Sequence, residues 1–418
     1  MLRFGVHYCL GLKILHLISL VFGYWIPLKP MPKKLDTLMF VFATVTTIIF
    51  VCQSLFALYT TFSYSLVSYM HGVIYAVSII TILKHLFCVT YYHVSRREMI
   101  EIFLQLQVIL DKYNYPFVNL QTIALKISRR VIAFYFLPPA IYILLIKSNF
   151  ISSIEIHHIS RNVTKMVTTN ETGSSIRRDL LSILNVHSLS DGLLHTTVFI
   201  STISNLREIV ANAFLLSAYA IVAEQIAVLK NCLENILTSE NFLPSEICFV
   251  KLRSNTSKEL RNATSSSANL DAWQQFQQHT ARVLDRINKY AAPIIVISIS
   301  SYVALLTLSA FALIKTYSEP SFAANFMAGC VLYLTEIYLY CDSGHRIKLQ
   351  RDALVDVVYH GPWLRIEKKL IPVVHFLTLD CQRSFQVTGG PFFTLSLEFF
   401  ASVVGVVFTY FIVAMQIK

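Results

Sequence analysis

Three ionisable residues lie inside long apolar runs of the sequence, where a charge is costly. Arg207, Glu336 and Glu398 each sit among mostly hydrophobic neighbours. A charge inside a membrane costs about 2.5–3.5 kcal/mol on insertion scales, so each side chain must face water, an opposite charge or the interior of a helix bundle. Arg207 could line an aqueous path or pair with a neighbour such as Glu208. Glu398 lies near one end of its run, where solvated segments can hydrate it.

The other chemistry-bearing residues form no catalytic or metal-binding pattern. The sequence has no glycine-rich phosphate loop, no His-Glu-x-x-His, no Gly-x-Ser-x-Gly and no paired Cys-x-x-Cys. His157 and His158 are adjacent, so their side chains point in different directions, and no cysteine or third histidine is close to them in sequence. We therefore expect no enzymatic activity, no cofactor and no metal site.

Aromatic residues with polar tips recur in several apolar runs, in the half of each run that we expect to lie toward the outside of the cell. Such side chains are common at membrane interfaces and between helices. Their concentration also suits a small, mostly apolar ligand. The candidate ligand-binding residues are Tyr69, His71, Tyr75, Tyr142, Phe199 and Tyr333.

The composition that surrounds these residues is that of a membrane protein. Hydrophobic residues make up 55% of the 418 residues, and the mean hydropathy is +0.57; soluble proteins have nearer ~45–50% apolar residues. The formal net charge of +11 could indicate nucleic acid binding, but the basic residues lie in segments between apolar runs, as membrane topology requires. We expect an all-α membrane protein that binds no nucleic acid.

The hydropathy pattern predicts seven transmembrane helices in a single domain, residues 1–418. We expect the first 34 residues to form an amphipathic segment and not a cleaved signal peptide. The predicted spans are residues 35–62, 66–92, 131–147, 193–222, 292–316, 322–341 and 392–417. Amphipathic, basic sequence in 223–291 and 342–390 predicts helices that form an anchor region on the cytoplasmic side.

The distribution of lysine and arginine predicts the orientation of these spans. Segments on one side hold 26 of these residues and segments on the other hold 7, so the positive-inside rule places the N-terminus in the cytoplasm and the C-terminus outside. This arrangement is the inverse of a seven-helix G-protein-coupled receptor. It places the sequons at Asn162 and Asn170 in an outer loop, where they are candidate glycosylation sites.

The last apolar run, residues 392–417, carries Glu398 as its only charge. A helix over this range would be about 40 Å long, which is enough to cross a bilayer. Small residues recur along it at Ser402, Gly405 and Thr409, a spacing that lets helices approach closely. We therefore expect this helix to pack against other helices and not against lipid alone.

The closing run TYFIVAMQ, from Thr409 to Gln416, resembles the signature that ends insect odorant and gustatory receptors. The longer run from Phe392 is most similar to the last helix of the odorant receptor co-receptor. The stretch from Tyr340 to Trp363 is also similar to odorant receptors, because a cysteine and a glycine are followed there by an aromatic residue and a tryptophan. The matching residues are Cys341, Gly344, Tyr359 and Trp363.

The resemblance implies a multi-pass receptor in the plasma membrane of sensory neurons. Its expected activity is that of a tetrameric, non-selective cation channel opened by small organic odorants, with the last helix of each subunit lining the pore. The pore and gate positions that it implies are Thr409, Tyr410, Val413, Gln416 and Ile417. A ring of apolar side chains there would gate the pore by dewetting. The partners that it implies are an odorant, membrane lipid and other subunits, as a homotetramer or with a co-receptor.

Two alternatives within this superfamily remain open. A gustatory channel for tastants is one, although the residue after TYFIVAMQ is Ile417, where gustatory receptors usually have phenylalanine. A co-receptor-like subunit that serves tuning receptors is the other, although the segment between spans four and five is shorter than in the co-receptor. Related halves with paired broken helices would indicate a secondary transporter, and the sequence has none.

Overall fold

The computed structural model describes residues 33–63, 69–112, 208–234, 265–316, 320–360 and 371–416, and for some of these the backbone alone. This part of the chain is helical apart from one short hairpin, as a helical membrane protein requires. The elements in chain order are α1 (Lys33–Ser63), α2 (Tyr69–Val94), α3 (Arg96–Lys112), α4 (Glu208–Glu234), α5 (Ser265–Thr316), α6 (Pro320–Tyr359), α7 (Ile371–Ser384), β1 (Thr388–Gly389), β2 (Phe393–Thr394) and α8 (Leu397–Gln416).

Helix α4 lies at the centre of the bundle. Every residue from 208 to 223 is buried, as expected for a helix that is apolar on all sides. The ring of Phe214 meets Phe103 of α3 edge-on, with centroids 5.8 Å apart. Further along, the indole nitrogen of Trp273 on α5 donates a hydrogen bond to the carbonyl of Leu229, at 2.9 Å. Contacts on both sides therefore fix the position of α4.

Helices α5 and α6 are the longest described elements, with 52 and 40 residues. At about 1.5 Å per residue they measure ~78 Å and ~60 Å, while the apolar core of a bilayer is about 30 Å thick. Each helix therefore continues well beyond its predicted span, 292–316 in α5 and 322–341 in α6. The two pack along one another, and α5 also contacts α2, α3 and α8.

Apolar character divides the described helices into two groups. By length and composition, Glu208–Glu234 and Trp273–Ile314 are long and apolar enough to cross a membrane. Shorter apolar stretches occupy Phe40–Ile49, Ile79–Val94 and Leu397–Val413. The predicted span 131–147 lies outside the described residues.

The last helix begins later than the sequence predicts. Residues 392–396 were expected to be helical, but residues 392–395 belong to a hairpin in which Thr388 pairs with Thr394, and α8 begins at Leu397. Gly390 adopts φ 61°, a conformation that glycine reaches without steric cost. Pro391 follows it and has no backbone N–H to give to a helix. The prediction of a helix from 392 is therefore wrong, and the chain reverses direction before α8.

Side chains from two helices fix the base of this hairpin. The amide of Asn288 on α5 donates a hydrogen bond to the carbonyl of Gln386, at 2.7 Å. The hydroxyl of Tyr219 on α4 donates to the amide oxygen of Asn288, at 3.3 Å. The hairpin closes through the backbone hydrogen bond from Leu395 to Val387, at 2.9 Å. The start of α8 is thus tied to the central helices.

Candidate ligand site and last helix

A buried ion pair joins α2 to the start of α4. The Lys84 ammonium lies 2.9 Å from a carboxylate oxygen of Glu208, and both side chains are at most 5% exposed. The other carboxylate oxygen of Glu208 contacts Nδ1 of His85. A buried charge is tolerated only where close partners replace its lost hydration. Lys84, His85 and Glu208 therefore stabilise one another, and removing Lys84 or Glu208 alone would leave the other charge uncompensated.

An aromatic layer from α5 and α6 covers this ion pair. The Lys84 ammonium lies 4.2 Å from the centroid of the Tyr302 ring, within the range of a cation–π contact. The Tyr302 hydroxyl donates to Glu208 at 3.5 Å. Its ring stacks on Tyr333, with centroids 5.9 Å apart and an angle of 28° between the planes. Tyr302 is fully buried and Tyr333 only partly so, hence Tyr333 is the residue of this layer that a ligand could reach.

A second carboxylate completes the buried cluster. Glu336 lies one helical turn beyond Tyr333 on α6 and is buried, as predicted for an intramembrane charge. It is close enough to Glu208 and Lys84 for the three charges to interact. Asn212, one turn beyond Glu208 on α4, is also buried and accepts a hydrogen bond from Tyr92 at 2.8 Å. The cluster thus draws polar groups from α2, α4, α5 and α6 into an apolar bundle.

Tyr333 is the one predicted ligand-binding residue whose side chain belongs to the described part of the chain. Tyr69, His71 and Tyr75 lie on the first turns of α2, with only their backbone described. The other predicted ligand-binding residues, Tyr142 and Phe199, lie outside the described residues. So do the intramembrane Arg207, the adjacent histidines and the two candidate glycosylation sites: His157, His158, Asn162 and Asn170.

Lys84, His85 and Tyr302 were not among the functional residues predicted from the sequence. A signal was present, because Lys84 and His85 interrupt an apolar run in the same way as the three charges that were singled out. The sequence also suggested Glu208 as a partner of Arg207, whereas in the structure the Glu208 carboxylate is occupied by Lys84 and His85. Tyr302 gave no signal of its own, because a tyrosine in a transmembrane helix is common.

The start of α8 is held by α6. The Ser396 hydroxyl accepts a hydrogen bond from the backbone N–H of Phe399, at 3.2 Å, so Ser396 acts as the N-cap. Glu398, in the first turn, pairs with Lys348 of α6 at 2.8 Å, so the charge of Glu398 is compensated by an ion pair. The glycine of the odorant-receptor-like stretch, Gly344, packs directly on the backbone of Leu395. A close backbone contact and a surface ion pair therefore link α6 to α8.

Beyond its first turns, α8 leaves large apolar side chains uncovered by the rest of the chain. Phe408 is 61% exposed, Tyr410 60% and Val413 45%. The other predicted pore residues on this helix, Thr409 and Gln416, are also exposed, and Ile417 lies outside the described residues.

The small residues of α8 do not produce a close helix contact within the part of the chain that the structure describes. A Cβ added at Gly405 would meet no atom within 4 Å. The Thr409 hydroxyl donates to the carbonyl of Gly405 at 2.9 Å, and the Ser402 hydroxyl donates to that of Glu398 at 3.0 Å. No described helix of this chain packs closely on Gly405.

Comparison with known proteins places these features in context. The family model described as 7tm Odorant receptor matches residues 193–408, which include α4, α5, α6 and most of α8. The odorant receptor coreceptors of Aedes aegypti and Drosophila melanogaster are 28% and 27% identical over 147 residues. That stretch is 35% of this chain and spans 30% of each coreceptor.

The fold is similar to that of a solved receptor over almost its whole length. The structure of the insect olfactory receptor OR5 from Machilis hrabei aligns with a TM-score of 0.68 at 13% identity, covering 97% of this chain and 98% of the receptor. The structure of OR5 in complex with eugenol aligns with a TM-score of 0.64 at 14% identity and 97% coverage of both chains.

Proposed function

Because this chain belongs to the 7tm odorant receptor family, we propose that it is a subunit of a non-selective cation channel opened by small organic odorants. In this proposal four subunits, identical or mixed with a co-receptor, surround one pore in the plasma membrane of sensory neurons. Each subunit has seven spans, with the N-terminus inside and the C-terminus outside. The 26-to-7 asymmetry of lysine and arginine supports this orientation.

The exposure of α8 is the observation that carries the proposal. Large apolar side chains on more than one side of this helix, with Phe408, Tyr410 and Val413 about half exposed or more, are not covered by the described part of the chain. Lipid could cover them, but the polar Thr409 and Gln416 are exposed on the same helix, and polar groups are costly in lipid. A bundle of last helices around a pore gives the polar side chains water and the apolar ones neighbours.

The ligand site of this proposal lies beside Tyr333. Tyr333 is a partly exposed residue whose ring rests on the buried Tyr302 ring, so an apolar ligand could add a further aromatic contact on α6. The candidates Tyr69, His71 and Tyr75 on α2, with Tyr142 and Phe199, complete the proposed site. The eugenol complex of OR5 supports this class of ligand, because the two folds are similar.

Patch-clamp recording tests the proposed function. The full chain is expressed alone and with an insect co-receptor, and a panel of eugenol, alcohols, aldehydes, ketones and esters is applied. We expect unitary current steps that begin when an agonist is applied and that carry both sodium and potassium. A chain that reaches the cell surface with its partner and gives no agonist-dependent steps would contradict the proposal.

A co-receptor-like role is the second candidate. The 27–28% identity to coreceptors over 147 residues favours it. A co-receptor-like subunit would raise the surface expression and currents of a tuning receptor that is silent when expressed alone. A tuning receptor would itself depend on an added co-receptor. Expression of each pair and of each subunit alone distinguishes the two.

A further inference from the structure

Tyr302 contacts both Tyr333 and the buried ion pair. Its ring stacks on Tyr333 of α6, lies under the ammonium of Lys84 on α2, and carries a hydroxyl directed at Glu208 on α4. Since Tyr302 belongs to α5, a single side chain connects four helices. Tyr302 is 3% exposed, which is too buried for it to be a ligand contact itself.

The stability of the buried Lys84 ammonium depends on the position of the Tyr302 ring. Lys84 is buried, and a buried ammonium needs every close partner that it has. Glu208 supplies a charge at 2.9 Å, and the Tyr302 ring supplies a desolvated cation–π contact at 4.2 Å. If the ring turns, the ammonium loses part of its compensation and must move with it or with Glu208. The ring position and the spacing of α2 and α4 are therefore linked.

Tyr333 provides the point at which a ligand could act on this arrangement. Tyr333 is partly exposed, and its ring stacks on the buried Tyr302 ring, so an incoming molecule that packs on Tyr333 acts on this stack. A ligand that packs on this ring favours some ring orientations over others. Because stacked rings gain energy only in a few geometries, a change at Tyr333 changes the preferred position of Tyr302.

We propose that Tyr302 and Lys84 are positioning residues for the agonist response, through which the orientation of Tyr333 sets the spacing of α2, α4 and α6. The agonist contacts Tyr333; the Tyr302 ring and the Lys84–Glu208 pair make the helix arrangement depend on that contact. The inference rests on the proposed function, because it needs an agonist-gated current. It assigns to the buried cluster a role in ligand sensitivity beyond stabilising the fold.

A double-mutant cycle tests the inference. In the full chain with its co-receptor, Lys84→Gln and Tyr333→Leu are made singly and together, and the half-maximal concentrations of the two most potent agonists of the panel are measured. Each single change should raise these concentrations about three- to tenfold, which is the range of one aromatic or cation–π contact. The double change should raise them little more than the larger single change. In a Tyr302→Leu background, Lys84→Gln should shift them less than about twofold, since the connecting ring is gone.

The controls separate positioning from general damage. Tyr302→Phe retains the ring and should respond almost as the unmodified chain, and Lys84→Arg retains a cation over the ring. Tyr91→Leu removes a half-buried tyrosine on α2, whose hydroxyl donates to the carbonyl of Tyr290 at 3.0 Å. The effect of this change should be independent of Tyr333→Leu. Surface biotinylation normalises all variants. Where Lys84→Gln does not reach the surface, Lys84→Met combined with Glu208→Gln replaces it, because removing both charges together leaves neither unpaired.

Each outcome has a defined meaning. Additive effects of Lys84→Gln and Tyr333→Leu would overturn the inference, and so would equal coupling at Tyr91 or equal shifts for Tyr302→Phe and Tyr302→Leu. Unitary conductance should be unchanged in every variant, since none lies on α8. An unmodified chain at the surface that answers no odorant would instead contradict the proposed function itself, which distinguishes the two failures.

Discussion

Replacing Gly344 with alanine should loosen the junction between α6 and the start of α8. A Cβ at this position would lie 2.7 Å from the Cβ of Leu395 and 2.9 Å from its carbonyl carbon, and it would overlap the carbonyl oxygen. Carbon atoms pack at about 3.5–4.0 Å, so the two backbones would have to separate by roughly an ångström. The atoms that must move belong to the backbone, and no side-chain rotation can relieve the overlap.

Two opposing terms set the size of the effect. Alanine in place of glycine favours a helix by about 1 kcal/mol, while overpacking of a tight contact typically costs about 1–3 kcal/mol. The overlap with three atoms of Leu395 puts Gly344→Ala toward the upper part of that range, so we expect a net loss of stability of ~1–2 kcal/mol. The hairpin from Val387 to Leu395, on which α8 depends, should be affected first.

Gly329 provides the matched control on the same helix. A Cβ there would lie 3.6 Å from a ring carbon of Tyr333, an ordinary contact, so Gly329→Ala should be neutral or slightly stabilising. The assay is the apparent melting temperature of each detergent-solubilised variant, followed by fluorescence-detected gel filtration. We expect Gly344→Ala to melt several degrees below Gly329→Ala. Equal melting temperatures, or a more stable Gly344→Ala, would refute the argument that this glycine is required by close backbone packing.

Three further predictions concern the pore, the orientation and the thiols. Val413→Ser should give current without agonist, because a hydroxyl lowers the cost of wetting an apolar constriction, and Gln416→Arg should reduce cation conductance; normal gating and conductance in both well-expressed variants would remove α8 from the pore. An epitope tag after the last residue should bind antibody on intact cells and one before the first residue should not, so a protected C-terminal tag would contradict the proposed orientation. Burial, together with the nearby Asp380, raises the pKa of the Cys381 thiol to about 12, so this cysteine should resist maleimide near neutral pH until the protein is unfolded in detergent. Gln386→Cys, at an exposed position just before the hairpin, should react at once, and fast labelling of native Cys381 would show that α7 does not pack as described.

The sequence by itself indicated a helical membrane protein and its family. Both depend on patterns that are local in the chain: long apolar runs can be satisfied only as helices in a bilayer, and the closing run TYFIVAMQ resembles odorant receptors. The same local information predicted that Glu336 faces water, a partner or the interior of the bundle, and the structure places it in the interior. It also singled out Gly344 by resemblance, without the physical reason for a glycine there.

Tertiary structure decided which of these residues act together. Lys84 and Glu208 lie on helices far apart in the chain, and nothing local to either shows that they meet at 2.9 Å. A hydropathy pattern also could not locate the start of the last helix, because the mostly apolar stretch before it, residues 392–395, is compatible with a helix and with a hairpin. Gly390 at φ 61° and the contacts of the hairpin with Asn288 and Gly344 settle that choice. Pairing and chain reversal depend on contacts between distant segments, and the energy of such contacts exists only once the helices are packed.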